Sequence, residues 1–434
     1  MTTKPCNLTR KEKRAIRMRL ARKAARLERR KLRENDLTQT KVAAAVATEV
    51  KRNKVITFED LDGDQLLAYR GIHEWWDSQQ AIGGIAAPLT VGGYAGTGKS
   101  TLLAICLPKL KNSDGSDVRV SYCAYTGKAA NVLMMKKLAA STIHSLIYNA
   151  IPDGKGGFIF ILKSKEEVDC EIIVVDEASM IPKDMQVDLE SLGISILYTG
   201  DHGQLPPVQG FGNVMADPIF KLETPHRFAL ESGIITVATM FRKRERVKKG
   251  IYGKYGDTEV VGKAAINDIE MLSSASIVIC YSNHRRASLN ERIREYRGYD
   301  GIMPSVGEKL ICTKNNKNTR MFNGLIVTVK SIELIDKVYL MDVEDESGKV
   351  HLSIKACTEY FKGDPHPKIF GETFFDLFEF AYAITGHKSQ GSQWDHVVVI
   401  QEDMYRENLD IKRRWIYTTT TRAAKRLTLI SKNN

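Results

Sequence analysis

The stretch Gly93-Tyr94-Ala95-Gly96-Thr97-Gly98-Lys99-Ser100 decides how this chain is read. It has a glycine, four free positions and then Gly-Lys-Ser, it follows an apolar run at 89–91, and it leads into a helical segment at 101–107. A chance glycine-rich turn lacks that strand and that helix. Glycines let backbone N–H groups come close to phosphate oxygens, and a helix N-terminus adds a favourable dipole. Lys99 has the reach for β- and γ-phosphates, and Ser100 can ligate magnesium. Gly93, Ala95, Gly96, Thr97, Gly98, Lys99, Ser100 and Thr101 are therefore the expected nucleotide-binding residues.

A phosphate loop of this kind needs a carboxylate on a neighbouring strand. Ile172-Ile173-Val174-Val175-Asp176-Glu177 supplies an apolar strand ending in two acids. Asp176 is expected to hold the magnesium shell with Ser100. Glu177 is expected to orient and deprotonate an attacking water, the step that separates hydrolysis from binding.

Working outward, strand-like runs at 89–91, 118–124, 172–175, 194–198, 277–281 and 397–400 alternate with helical segments from Val55 onward. That alternation predicts an α/β fold with parallel sheets covered by helices. The runs fall into two groups, before and after about residue 225. Residues 305–358 differ, with short β-rich runs at 310–312, 325–329, 338–343 and 350–354 separated by turns. They are read as a small β-barrel inserted into the second domain.

The composition supports a globular protein, with 434 residues of which 43% are hydrophobic. Seven cysteines without a C-x-x-C pair read as free thiols of a reduced compartment, with no structural zinc. No run approaches the roughly 20 apolar residues of a membrane span, and no apolar signal core follows the basic N-terminus, so a soluble cytoplasmic protein is expected. The net charge of +12 is unevenly placed: residues 1–56 hold 18 Lys and Arg against 5 Asp and Glu, and the remainder holds 46 against 47. A helix is predicted over 10–34, with Ile16, Leu20, Ala24 and Leu27 as a thin apolar stripe among dense cations. It suits nucleic-acid phosphates, an acidic partner or solvent alike.

The strand ending in Tyr198-Thr199-Gly200 continues into Asp201-His202-Gly203-Gln204-Leu205-Pro206-Pro207-Val208. This resembles motif III of the superfamily 1 helicases, and the chain as a whole resembles their RecD/Dda-like branch. In that family the glutamine senses the γ-phosphate, a role the resemblance gives to Gln204. The segment 56–68 resembles the Q motif, whose glutamine, here Gln65, reads the adenine edge. Trp415-Ile416-Tyr417-Thr418-Thr419-Thr420-Thr421-Arg422-Ala423 is similar to motif VI, making Arg422 an arginine that stabilises charge on the transferred phosphoryl group. Arg227 resembles the motif IV arginine, with a structural ion pair as the alternative.

The segment 381–399 closely resembles motif V. It places Thr385, His387, Lys388 and Ser389 for phosphate and sugar contacts, and Gln390 and Gly391 where the family couples DNA to nucleotide. Gly386 departs from the pattern, which often has a larger apolar residue there. Cys123-Ala124-Tyr125-Thr126-Gly127-Lys128 is similar to motif Ia and Ser141-Thr142-Ile143-His144 to motif Ic, so Thr126, Lys128, Thr142 and His144 are expected to line a single strand. The turn-rich stretch 149–162 reads as a hairpin at the family's strand-separating pin. There Phe158 or Phe160 either stacks on the junction base pair or only packs the hairpin. Phe322-Asn323-Gly324 resembles a turn of the family's SH3-like subdomain.

The resemblance covers residues 56–432 as an ordered series of motifs. It implies two RecA-like P-loop NTPase domains with an inserted pin and an inserted SH3-like barrel. The partition is a basic extension 1–55, domain 1A at 56–222 with the hairpin at about 146–168, domain 2A at 223–304 and 359–434, and the barrel 2B at 305–358. It further implies ATP and Mg2+, 5′ to 3′ movement on single-stranded DNA, unwinding at fork junctions, and a monomer working in replication, recombination or repair. The compact length resembles the phage members, so a bacterial cell or phage-infected host is the expected setting, with a single-stranded-DNA-binding or replication protein as a further partner. Two other readings stay open: an ATP-gated translocase or protein-remodelling switch that separates no strands, and a tether whose main function lies in the basic tail.

Overall fold

The computed structural model describes residues 57–82, 87–135, 138–152, 158–207, 214–316, 319, 321–335, 338–357, 361 and 375–432. The expected helix at 10–34 lies outside the described residues. The chain divides into two units, 1–60 and 61–434. Among the described residues of the first, a 3-10 turn, Phe58–Asp60, is closed by the Asp60 carboxylate accepting from the Thr57 N–H at 3.0 Å.

The second unit holds two six-stranded sheets. In the first, β1 (Leu89–Gly93), β2 (Val120–Ala124), β3 (Ala140–Thr142), β6 (Ile172–Asp176), β7 (Ser195–Gly200) and β8 (Phe220–Leu222) run parallel in the order β3-β2-β6-β7-β1-β8. Between β3 and β6 the chain makes a separate antiparallel ribbon, β4 (Tyr148–Pro152) paired with β5 (Phe158–Leu162).

The second sheet takes β9 (Gly250–Tyr252), β10 (Thr258–Val261), β11 (Ile277–Cys280), β17 (Ala383–Thr385), β18 (Trp394–Ile400) and β19 (Ala423–Ile430). Their order is β17-β11-β18-β19-β10-β9, parallel except for the edge strand β9. A five-stranded antiparallel sheet, in the order β15-β14-β13-β12-β16, is built from β12 (Lys309–Cys312), β13 (Ile326–Ile335), β14 (Val338–Asp345), β15 (Val350–Cys357) and β16 (Phe378–Phe380).

Burial follows the type of sheet. Every apolar residue of β6 is buried, because helices cover both faces of a parallel sheet. Ile173 and Val175 join one core with Ile147 and Tyr198, while Ile172 and Val174 join another with Ile72, Trp76 and Leu102. The second sheet repeats this: Ile277 and Ile279 face the core of Trp415, and Val278 and Cys280 face that of Leu289. β14 instead alternates buried and partly exposed residues, as a one-sided antiparallel sheet does.

Five helices position the site: α1 (Gly63–Ile82), α2 (Lys99–Cys106), α3 (Gly233–Arg242), α4 (Asn283–Arg297) and α5 (Leu409–Thr420). Strands β3, β8, β9, β10, β16, β17 and β19 have no counterpart in the apolar runs of the sequence. β8 and β9 are three residues long and β19 opens Ala-Ala-Lys-Arg, so their pairing depends on neighbours supplied by the sheet. No described helix is long and apolar enough to cross a membrane.

Candidate nucleotide cleft and adjoining groove

β1 ends at Gly93, and the loop Tyr94–Gly98 turns into α2 through two left-handed glycines, Gly96 (φ 79°) and Gly98 (φ 78°). A Cβ on Gly98 would lie 2.2 Å from His226 Nε2 and 2.4 Å from Gln65 Nε2, so both the backbone and the crowding require glycine. No side chain caps α2. Lys99 folds back to donate from Nζ to the Gly93 carbonyl at 2.5 Å, and the Thr97 hydroxyl donates to Tyr94 O at 2.8 Å. Ser100 and Thr101 follow in the first turn of the helix, Ser100 exposed and Thr101 partly buried.

Gln65, buried in the first turn of α1, is brought onto this loop. Its Nε2 lies 3.3 Å from the carbonyls of Thr97 and Gly98 and 3.0 Å from His226 Nε2. Asp64 anchors the same turn by accepting from the N–H groups of Glu223 and Thr224. The His226 N–H donates to Gly96 O at 3.1 Å. Arg227 begins the next helical turn, with its side chain, like those of Lys128 and Phe158, outside the described set.

β6 delivers Asp176 and Glu177 beside the loop. Asp176 Oδ1 accepts the Glu177 N–H at 2.9 Å, and Glu177 sits in a left-handed conformation at φ 52°, which turns it out of the strand. Burial pushes the Glu177 carboxyl up, Asp176 and Asp201 add to this, and Arg422 and Lys99 oppose it. A carboxylate raised in this way is a better proton acceptor than one in water. Arg422 is itself buried, its Nε donating to Thr418 O at 3.0 Å and its Nη1 to Ser392 O at 3.3 Å.

The loop after β7 is held from three sides. Asp201 is buried and accepts from the Gly203 N–H (2.9 Å) and from the Tyr417 hydroxyl (2.7 Å). The same Tyr417 oxygen accepts the Ala95 N–H of the phosphate loop at 2.8 Å. Arg414, one turn earlier on α5, donates from Nη1 to His202 O (2.7 Å) and Gln204 O (3.1 Å). The Leu205 N–H donates to Thr418 Oγ1 at 2.9 Å, and Leu205 O accepts Gln390 Nε2 at 3.1 Å. Leu205 is buried in the core of the second sheet with Trp415, worth about 1.5–3 kcal/mol for a leucine side chain. Gln204 is buried with its Oε1 unbonded among the described residues.

Sequence reasoning missed four members of this constellation: Arg414, Tyr417, Tyr94 and Arg242. The guanidinium of Arg242, at the end of α3, stacks 3.7 Å above the Tyr94 ring, whose other neighbours are His202 (4.1 Å) and Tyr417 (6.1 Å). Tyr417 carried a signal, since it lies in the motif that holds Arg422. Arg242 carried none, being one cation in the basic run 242–249.

A cavity of about 410 Å³ adjoins this cleft, lined by Tyr125 and Thr126, by Pro207, by the turn Asn323-Gly324 and by His387, Lys388 and Gln390. It brings together Thr126, His387 and Lys388 from separate motifs. Gly391 (φ 69°) lies against the Thr126 hydroxyl, where a Cβ would come within 3.3 Å. Lys388 donates to Glu379 Oε2 at 2.6 Å, a carboxylate shared with Arg286, and burial depresses the His387 imidazole, favouring its neutral form.

Other expected contacts are placed differently. Ser389 is fully buried, its hydroxyl donating to Gly386 O at 2.7 Å, so it holds the turn rather than facing the cavity. Thr142 Oγ1 accepts the Ser145 N–H as a helix cap, and Thr385 sits partly exposed at the end of β17. His144 packs with Tyr148 and Phe160 at the base of the ribbon, ring centres 5.5 and 5.9 Å away, while Phe160 stays 45% exposed. Gly386 is explained by Trp415, whose Nε1 lies 2.3 Å from where a Cβ would be.

Comparisons with known proteins agree along the chain. A model of an AAA domain matches residues 79–252, and one of the UvrD-like helicase C-terminal domain matches 380–430. The ATP-dependent RecD2 DNA helicase of Deinococcus radiodurans is 27% identical over 364 residues, covering 77% of this chain and 45% of that protein. The RecD subunit of the RecBCD enzyme of Mycobacterium tuberculosis is 23% identical over 402 residues, covering 78% and 65%. The ATP-dependent DNA helicase dda of phage T4 is 25% identical over 237 residues, covering 51% and 52%. The chain thus spans about half the length of the first relatives it matches. Among solved structures, Bacteroides Pif1 helicase with ADP-AlF3 and single-stranded DNA superposes with a TM-score of 0.51 at 17% identity, covering 83% of this chain and 92% of that one. At that identity the likeness is one of fold. In sequence the chain is thus similar to RecD- and Dda-type helicases, and in fold to a Pif1 helicase.

Proposed function

We infer that the protein is an ATP-dependent DNA helicase that moves 5′ to 3′ along single-stranded DNA and opens the duplex ahead of it. One observation carries this reading: hydrogen bonds run from the phosphate loop at Ala95 through Tyr417 to Asp201, and the loop that begins at Asp201 is bonded in turn, through Leu205, to Gln390 on the cavity wall. Such a series ties the state of the nucleotide to the shape of the groove.

The residues present suit magnesium nucleotide. Gly96 and Gly98 hold the left-handed backbone that shapes the loop, and the oxygens of Ser100 and Asp176 are the hard donors magnesium takes. Bound there, the ion would neutralise phosphate charge. Gln65 reads the adenine edge, Lys99 leaves its carbonyl partners for the phosphates, and Glu177 accepts the proton of the attacking water. Gln204 senses the γ-phosphate through its amide, while Arg422 and Arg227 stabilise charge developing in the transition state. The single strand occupies the cavity against Thr126, Lys128, Thr385, His387 and Lys388 and continues toward Thr142 and His144. On release of phosphate the loop at 201–205 relaxes and moves the strand.

In this reading residues 56–222 form one RecA-like domain and 223–304 with 359–434 the other. The ribbon β4–β5 is the separating pin with Phe158 and Phe160 at the junction, and β12 to β15 of the five-stranded sheet form an SH3-like insertion within 305–358, completed by β16 from the returning chain. The test is strand separation on partial duplexes with a 5′ or a 3′ overhang, comparing wild type with Glu177→Gln in magnesium-ATP. Opening of the 5′-tailed duplex alone, by wild type alone, is the expected result. DNA-stimulated hydrolysis with neither duplex opened points instead to a translocase without strand separation and removes the pin.

A further inference from the structure

The loop that follows α3 reads Arg242-Lys243-Arg244-Glu245-Arg246-Val247-Lys248-Lys249, six cations against one acid in a chain whose residues after 56 nearly balance. Arg242 turns inward onto Tyr94, but Arg244, Arg246, Lys248 and Lys249 are exposed and make no ion pair among the described residues. Arg244 occupies the left-handed position that ends α3 (φ 65°), where glycine is the usual residue, so a charge is kept there against the backbone's preference. The loop leads into the edge strand β9, followed by Tyr255, which is 71% exposed. The Tyr255 hydroxyl donates to Glu231 Oε2 at 3.4 Å and Lys254 donates to Glu231 Oε1 at 2.9 Å, so the exposed ring is held in place, with the Lys254 ammonium 5.5 Å from its centre.

We propose that this surface is a second binding site for single-stranded nucleic acid, with Arg244, Arg246, Lys248 and Lys249 on phosphates and Tyr255 as a platform for one base. Unpaired cations beside an exposed, anchored aromatic ring are the combination that sequence-tolerant strand binding uses. The site is separate from the groove. β9 is the last strand of the second sheet and β17, which leads into His387 and Lys388, is the first, so five strand spacings of about 4.8 Å, about 24 Å in all, lie between them. It rests on the helicase reading and adds to it a place for the strand once it has left the groove, or for the strand the motor displaces.

The test measures binding of oligothymidylates from about 4 to about 30 nucleotides, a range that brackets one site and spans two. Full-length wild type is compared with the variant Arg244→Ser, Arg246→Ser, Lys248→Ser, Lys249→Ser and, separately, with Tyr255→Ala. Wild type is expected to show a second rise in affinity once the oligonucleotide bridges both sites. The fourfold variant keeps wild-type affinity for the short oligonucleotides and wild-type ATPase on them, and lacks that rise. Its salt dependence on the long ones falls by about 3 in slope, about 0.7 for each phosphate no longer neutralised. Tyr255→Ala weakens the long complexes severalfold without changing the slope. Forks with only the 5′ or only the 3′ tail lengthened tell which strand is held. Coincident curves at every length overturn the second site, as does an equal loss on short and long oligonucleotides, which makes the loop part of the groove. Failure of wild type to bind any oligonucleotide overturns the helicase reading as well.

Discussion

After β1 the chain turns into α2, and after β11 it turns into α4; both turns carry a buried strand of a parallel sheet into a helix, and they treat their free amides in opposite ways. After β11 the protein supplies its own anion. The Glu402 carboxylate, just beyond β18, accepts from the Tyr281 N–H (2.7 Å), the Ser282 N–H (3.3 Å) and the Ser282 hydroxyl (2.8 Å), and Ser282 Oγ caps the Arg285 N–H. After β1 no side chain caps the helix; Asp176 accepts the Glu177 N–H, and Asp201 accepts from Gly203 and Tyr417. A helix N-terminus attracts an anion in either case. What separates a structural turn from a phosphate site is whether the fold fills the position itself.

The difference between the two turns should show most strongly at Glu177, the acid proposed as general base. Glu177→Gln should lower kcat for ATP by about 10³-fold, within the range of a lost general base, with nucleotide affinity nearly unchanged. Because burial raises this carboxyl, the acidic limb of the wild-type kcat profile should lie above the ordinary carboxylate range, and activity should be lost as pH falls through the raised value. A limb in the ordinary range would show that Glu177 titrates in water.

Gly98→Ala is expected to weaken ATP binding by at least about tenfold, from about 1–2 kcal/mol of left-handed strain, together with the clash it forces on His226 and Gln65. An alanine variant with unchanged nucleotide affinity by equilibrium titration would mean that the loop has room the geometry denies. Tyr417→Phe should reduce DNA-stimulated ATPase by about five- to tenfold, on the order of 1 kcal/mol for the two hydrogen bonds removed, with less effect on the basal rate. Equal loss of basal and stimulated rates would place Tyr417 in support of the loop only.

The smallest effect on activity is predicted for the sealed turn. Glu402→Gln should leave KM for ATP unchanged and lower stability by about 1–3 kcal/mol, read as a drop in Tm, because partly buried amides lose a charged acceptor. A changed KM would show that the two turns communicate.

Much of the cleft was legible because its chemistry is local. Backbone geometry for phosphate needs glycine at fixed spacing within eight residues, and a strand-end Asp-Glu needs only the strand before it, so Gly93–Ser100, Asp176 and Glu177 stand out of the linear chain. The inner strands were legible for the same reason, since a strand buried on both faces is a run of apolar residues. The ribbon was visible as two β-forming runs around a turn, observed as Tyr148–Pro152 paired with Phe158–Leu162.

The rest depends on partners distant in sequence. Arg414 and Tyr417 matter because α5 lies across the loop at 201–205, more than 200 positions away; the motif around Tyr417 marks that residue but not its partner, and nothing near Arg414 marks it at all. Ser389 and Lys388 stand side by side in the chain, yet one is buried on a carbonyl and the other faces the cavity, since a single 3-10 turn sends consecutive side chains in different directions. Gly386 stands as a departure from a motif until Trp415 is found in the space a side chain would need. Where phosphate can be held follows from the linear chain alone, because it depends on backbone freedom along a short segment. Which side chains meet across the cleft follows only from the packing of the two sheets, which buries Leu205 from the loop of one in the core of the other.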